Sequence, residues 1–286
     1  MFKKHKKWIF YSLYTAAVSL FFLYYLFPSE AIEAYIVSVL QKIRPGSTLT
    51  IEGISPVFPP GIKTSGVVFS QGDPLLISLE QLKITPEIWT LFGSSPTFVL
   101  QGRGYEGRMT GSLILDRDGG LTALHADITD VQIGRVAAVQ HLSRHDVKGT
   151  LSGMIDFQRP DAVGRFTANL TASNCRMNIE IPGASLKELT FAEVNAKLTA
   201  DHAYALRIEM LSAKGSQVNS DLSGTIRIKT PYPDSELDLS GSVKPHPSFI
   251  SGLGSSISML FQNRGGNNTF PFIIKGTIAS PEFLLR

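Results

Sequence analysis

The chain of 286 residues has one cysteine, Cys175. No intramolecular disulfide can form, and a cysteine-rich scaffold or a multi-cysteine zinc site is excluded. One thiol does not exclude an oxidising compartment, because a domain of this size can fold on hydrophobic burial alone. Cys175 itself reads as a buried structural residue. Charge is also scarce: 18% of residues are charged, against 43% hydrophobic. That balance excludes a disordered chain and fits one that builds a core. The excess of basic over acidic charge is confined to the first few residues. The formal net charge of +3 depends on Lys3, Lys4, Lys6 and Lys7, without which 23 basic residues face 24 acidic ones. The pI of about 8.9 therefore reports the N-terminal tail. It gives no ground for a nucleic-acid partner, which needs basic residues clustered on the folded domain.

Catalytic signatures are missing as well. There is no G-x-S-x-G elbow, no G-x-x-x-x-G-K-[ST] loop and no H-E-x-x-H pair. Gly102-Arg103-Gly104-Tyr105-Glu106-Gly107 fits G-x-G-x-x-G, but a strand-like run follows it. Dinucleotide binding needs a helix there to hold the pyrophosphate, so a hairpin turn is the better reading. His141 and His145 share a face if their segment is helical, yet no acidic residue lies between them, and they read as solvated. Arg144, His145, Asp146 and Lys148 read as a wet helix end, and Asp116, Arg117 and Asp118 as a turn. Asn169-Leu170-Thr171 matches a glycosylation sequon, which is idle in a bacterial host. No catalytic, metal-binding or cofactor-binding residue is assigned, no cofactor is expected, and the chain is not expected to be an enzyme.

Long apolar runs are confined to one place. Trp8 to Phe27 carries no charge and at 1.5 Å per residue spans a hydrocarbon core of roughly 30 Å. Trp8, Tyr11, Tyr24 and Tyr25 lie towards its ends, where amphipathic rings favour the interface. The preceding lysines should stay cytoplasmic, placing the rest of the chain outside. A cleaved signal peptide would have a shorter apolar region and a small-x-small site; Ser29 and Ala31 imitate one weakly. Residues 1–7 thus read as a cytoplasmic basic tail and 8–27 as a transmembrane helix. Residues 28–48 read as an amphipathic helix and linker: Ile32, Tyr35, Ile36, Val39, Leu40 and Ile43 recur at helical spacing before Pro45-Gly46.

From Leu49 the apolar period becomes two. Phe166, Ala168, Leu170 and Ala172 alternate with Arg165, Thr167, Asn169 and Thr171, and runs 193–200, 222–229 and 237–244 repeat the pattern. Each has one apolar and one wet face, as in an antiparallel sheet covered on one side. Turn residues separate the runs at Asp118-Gly119-Gly120, Arg159-Pro160-Asp161, Pro182-Gly183 and Pro231-Tyr232-Pro233. Gly111, Gly153, Gly224, Gly241 and Gly276 each sit in a motif of apolar, polar, Gly, any, apolar, and each falls on the apolar face. Glycine in a strand marks a bend, a bulge or a close approach, and these five point to a curved sheet with a hollow inner side, or to room for packed aromatics. Helical cover is sparse: 133–145 and 249–261 read as helices and 87–92 as one turn. Apolar surface left over would face lipid, a partner or an apolar ligand.

The opening Trp8-Ile9-Phe10-Tyr11-Ser12-Leu13-Tyr14 and Phe22 to Glu30 resemble the start of type II secretion system protein N. Pro56-Val57-Phe58-Pro59-Pro60-Gly61-Ile62-Lys63 and the stretch from Leu82 through Gly107 continue the likeness. The closing Ile274 to Phe283 resembles the end of AsmA-like envelope proteins. The resemblance implies a single-pass protein of a Gram-negative inner membrane, N-terminus cytoplasmic, with residues 49–286 forming a periplasmic β-rich domain. It implies an accessory or assembly role in type II protein secretion, with other subunits of that system and inner-membrane lipids as partners. The AsmA-like part implies a mainly β fold: a large curved antiparallel sheet with a few short helices and a hydrophobic groove, and as the alternative function a phospholipid-binding or lipid-transfer module.

Overall fold

A computed structural model describes residues 2–43, 46–58, 60–71, 75–142, 146–159, 164–178, 188–202, 205–252 and 269–285. Two helices open the chain, α1 (Phe2–Tyr25) and α2 (Ser29–Ile43). The basic residues set apart above as a tail are continuous with α1. Pro28 separates the helices, because its ring cannot continue the hydrogen-bond ladder of α1. Among the described residues no helix is long and apolar enough to cross a membrane; within α1 the side chains of residues 2–7, 9, 16, 17, 20 and 23 lie outside that set.

The remainder is mainly β. β1 (Ser47–Val57), β2 (Gly61–Gln71), β3 (Leu75–Pro86), β4 (Thr97–Gly104) and β5 (Gly107–Leu115) come first. β6 (Leu121–Gln132), β7 (Val147–Gln158), β8 (Arg165–Asn178), β9 (Glu188–His202) and β10 (Ala205–Gly215) follow. β11 (Val218–Arg227), β12 (Glu236–Pro245), β13 (Phe270–Gly276) and β14 (Pro281–Leu285) complete the set. All fourteen lie in one antiparallel sheet in strict chain order, so every strand pairs with its sequence neighbours. In that order β1 and β14 are the edges. At about 4.8 Å per strand, the sheet is about 60 Å wide along its hydrogen-bonding direction.

Period-two alternation becomes strand at 165–172, 193–200 and 237–244, in β8, β9 and β12; of the run read over 222–229, β11 takes the part up to Arg227 and leaves Ile228 and Lys229 outside the strand. The sheet begins two residues earlier than read, at Ser47. The G-x-G-x-x-G segment is the β4–β5 hairpin, where Gly104 pairs with Gly107. Tyr105 and Glu106 at its tip have φ of 55° and 61°, the left-handed geometry that matches the twist of two-residue hairpins. The helix read over 133–145 is instead a 3-10 turn (Ile133–Arg135) and a short α3 (Ala137–Leu142), interrupted by an extended Val136. The turn read at 87–92 is a 3-10 turn, Ile88–Phe92. Of the helix read over 249–261, α4 (Pro247–Gly252) covers the start; residues 253–261 lie outside the described set, as do Pro45, Pro160, Asp161, Pro182, Gly183 and His145.

The core is small. Ile51, Val67 and Leu79 are buried together on the first three strands, with Ile36 of α2 packed against them. Total accessible surface is 18900 Å². A compact monomer of 31.2 kDa would expose about 12,000 Å². The exposed face of α1 contributes to this excess, and so does a sheet face with little above it.

Candidate functional site: an apolar strip across the sheet

Side chains directly opposite one another in a ladder lie on the same face of a sheet. The register therefore defines rows that cross all strands. One row runs Pro56, Ile62, Ile84, Leu100, Gly111, Ala126 and Ile155 through β1 to β7. It continues as Ala168, Leu198, Ile208, Gly224, Leu239, Ile274 and Phe283 through β8 to β14. No member is polar. A second row on the same face passes Ile54, Thr64, Leu82, Gly102, Met109, Ile128 and Gly153. It ends Leu170, Ala196, Leu211, Leu222, Gly241, Phe272 and Leu285. Its one polar member, Thr64, is buried and donates from Oγ1 to the Leu82 carbonyl at 3.1 Å. Every polar group in the two rows is thereby internally satisfied, and the rows form a continuous apolar strip.

The next positions along each strand face the other way and are polar. Ser112, His125, Asp156 and Thr167 lie opposite one another in turn; so do Ser152, Thr171, Asn195, Ser212 and Asp221. One face is wet and the other dry, yet most members of the dry rows are only half-buried. Among the described residues, the helices that pack substantially on the sheet are α2 against β1 and α3 against β3. The 3-10 turn Ile133–Arg135 also lies against β7; beyond these, among the described residues, no helix packs substantially on the strands from β4 onward.

The repeated glycines belong to this strip. A Cβ built at Gly111, Gly153, Gly224 or Gly241 would collide with a backbone carbonyl of the adjoining strand, those of His125, Asn169, Asp238 and Asp221 respectively. These are positions of close strand approach, as glycine in a strand signals. At Gly241 the Phe272 ring also closes in, with Cζ at 2.8 Å from the added atom, so there the glycine makes room for an aromatic as well. Phe272 in turn stacks on Phe283, centroids 5.0 Å apart.

At the α1 end the strip opens into a cavity of about 580 Å³, within the usual range of roughly 300–1,000 Å³ for small-molecule sites. Pro56, Ile62, Ile84 and Phe98 line its sheet side, and Tyr24, Phe27 and Ile32 its helix side. The cavity thus unites the end of α1 with the start of the apolar row.

One polar cluster on the wet face was not foreseen. His125 on β6 is flanked by two carboxylates: Nδ1 lies 2.7 Å from Asp156 Oδ1 and Nε2 lies 3.2 Å from Asp127 Oδ2. Asp156 lies 31 residues away, so only the register brings it in. The hydrogen bond to Asp156, helped by Asp127, raises the imidazole above its ordinary pKa of 6.5 against a smaller opposing effect of burial. The carboxylates sit on opposite ring nitrogens, so they bracket the ring instead of converging on one point. Among the described residues no group of His, Cys, Asp and Glu could hold a metal ion. A raised folded-state value means that the stabilisation is full below about pH 6.5 and is lost as pH rises through the folded value. His125 should titrate above 6.5 by NMR, and a His125→Gln variant should lose that part of the decline in thermal stability above pH 6.5. A normal midpoint for His125 would contradict the bracketed geometry. Cys175 is buried, and burial pushes its thiol upward, consistent with the structural role read for it.

No protein-family model matches the chain, and neither does any curated protein or solved structure.

Proposed function

We propose that this protein is a membrane-anchored lipid-binding module that takes acyl chains along the apolar strip of its sheet. One observation carries the reading: an apolar row crosses all fourteen strands without a polar member, from the cavity beside α1 to β14. A dry strip about 60 Å wide by strand spacing, with little helical cover among the described residues, needs an apolar occupant, since leaving it in water forfeits the burial that favours folding. Its uniformity suits chains, which are alike along their length, better than a ligand needing fixed polar contacts. The face is open, so a charged headgroup can stay in water while its chains are covered.

In this reading α1 is the anchor. Residues 8–25 carry no charge. Trp8, Phe10, Leu13, Tyr14 and Phe21 are all more than half exposed, a helix surface that suits hydrocarbon better than water. The lysines preceding it favour a cytoplasmic N-terminus and a sheet on the other side of the membrane; the resemblance to type II secretion protein N adds a Gram-negative inner membrane and its periplasm.

A second reading, an accessory role in type II secretion, is favoured by the β14 edge. Phe283 and Leu284 are 56% and 53% exposed there. An uncovered apolar edge invites a strand from a partner. The two readings are compatible, with the edge for a protein and the strip for lipid.

The test is to purify the full-length protein in mild detergent and identify the retained lipids and proteins by mass spectrometry. The lipid reading expects at least stoichiometric phospholipid. Protein free of lipid, with secretion subunits attached through the β14 edge, would leave the second reading alone.

A further inference from the structure

The two connections at the rim of the sheet nearest α1 hold large apolar side chains out into solvent. Phe58 in the β1–β2 turn is 85% exposed, and Trp89 and Phe92 in the turn between β3 and β4 are 88% and 84% exposed. That turn is built to present them. Thr90 Oγ1 donates to the Glu87 carbonyl at 2.7 Å and accepts from the Thr97 amide at 2.9 Å, and the Gly93 amide donates to the Thr90 carbonyl. Residues 88–92 carry no charge, whereas the next connection on the same rim has Asp116, Arg117 and Asp118. Apolar exposure is therefore concentrated beside the strands nearest α1.

Just behind these tips, on the wet face, Lys63 and Lys83 lie directly opposite each other across β2 and β3. Neither forms an ion pair among the described residues. Like charges opposed across a ladder are unfavourable, and the pair is positioned to receive an anion. The shared cavity sets the end of α1 against this rim. Residues 26–28 alone separate α1 from α2, a span of roughly 10 Å at most.

We propose that this rim is a second membrane contact, seated in the headgroup layer of the leaflet from which the C-terminal end of α1 emerges. Phe58, Trp89 and Phe92 enter the interface, and Lys63 and Lys83 face lipid phosphates. The inference rests on α1 being the anchor. Trp89 has the amphipathic ring that favours that depth, Phe58 and Phe92 supply apolar surface for the boundary between headgroups and chains, and a lysine can lay its stem along apolar surface while its ammonium meets anionic headgroups. The contact sets the cavity mouth level with the leaflet, so that a chain can pass from bilayer to strip without crossing water.

The chain has two tryptophans, Trp8 and Trp89, which makes the test direct. Full-length Trp8→Phe and Trp89→Phe variants each leave one reporter. They are reconstituted into phosphatidylcholine–phosphatidylglycerol vesicles whose acyl chains carry bromine either near the glycerol or near the methyl end. The inference expects Trp89 to show blue-shifted emission and to be quenched more by bromine near the glycerol. Adding Lys63→Glu and Lys83→Glu should reduce that quenching in anionic vesicles and spare it in pure phosphatidylcholine. Quenching of Trp8 with Trp89 unquenched overturns the inference and leaves the anchor standing. Absence of quenching at both overturns the anchor and the inference together. Stronger quenching of Trp89 by the methyl-end bromine overturns the interfacial placement, and indifference to the lysine changes overturns their assignment to phosphate.

Discussion

A Gly153→Val variant is expected to lose about 3 kcal/mol of stability, the range of a backbone clash added to a strained conformation. The added carbons would fall on the Asn169 carbonyl and near Leu170 Cα at 2.8 Å. Both are backbone atoms of β8, so no side-chain rotation relieves the clash, and the two strands must separate. At about 2–4 °C per kcal/mol for a domain of this size, the thermal midpoint should drop by about 6–12 °C. Gly119→Ala supplies the control. Gly119 has φ of +81° but nothing within 4 Å of its added Cβ, so only the conformational cost of roughly 1 kcal/mol remains. Equal midpoints for the two variants would show that close strand approach at Gly153 does not matter to the fold.

Leu198→Glu is expected to strip lipid from the protein. Leu198 lies mid-row between Ala168 and Ile208, both buried. A carboxylate there would face acyl chains with no partner. The cost of an unpaired charge in an apolar setting runs to several kcal/mol, and even about 1.4 kcal/mol lowers affinity tenfold. Retained phospholipid should fall at least about tenfold by that conversion. Thr199→Glu, one residue on, points to the wet face opposite Thr167 and Arg207 and should retain lipid as the wild type does. Circular dichroism on both variants separates loss of lipid from loss of fold. Full retention by Leu198→Glu would mean that the strip is not where lipid binds.

Much of the sheet was legible because its strands alternate cleanly. Phe166 to Ala172 and Leu237 to Val243 read as half-dry strands from parity alone, and the glycines were placed on the dry face before any register was known. The rows were not legible. They depend on the register of thirteen strand pairs, and a slip of one residue would move a whole strand to the other face. Parity itself breaks where the β10–β11 register shifts between Ile208 and Leu211, so that Ile208 and Leu211 share a face although they are three positions apart. Strict chain order of fourteen strands also lay beyond the sequence, because turn residues mark where strands end and not which strands pair. The bracketing of His125 by Asp127 and Asp156 followed from the register alone.

The rim was half legible. Glu87 to Phe92 read correctly as one turn, but a short apolar stretch looks the same whether it faces in or out. Only the placement of Trp89 and Phe92 in solvent, beside Phe58, turned it into a surface. The helix read over 133–145 is present over Ala137–Leu142 and broken before it for a local reason: Val136 is extended, which splits the segment in two; residues 143–145 lie outside the described set. At the N-terminus the basic residues read as a tail are helical and continuous with α1, since lysine is an adequate helix former.

Photo-crosslinking tests the central claim most directly. Full-length protein would be loaded with a phospholipid bearing a diazirine in its acyl chain, irradiated and mapped by peptide mass spectrometry. The account predicts adducts on dry-row residues spread along the sheet, from Ile62 and Leu100 near the cavity to Ile274 near β14, with the opposed wet-face residues unlabelled. Adducts confined to α1, or scattered equally over both faces, would contradict a lipid-filled strip.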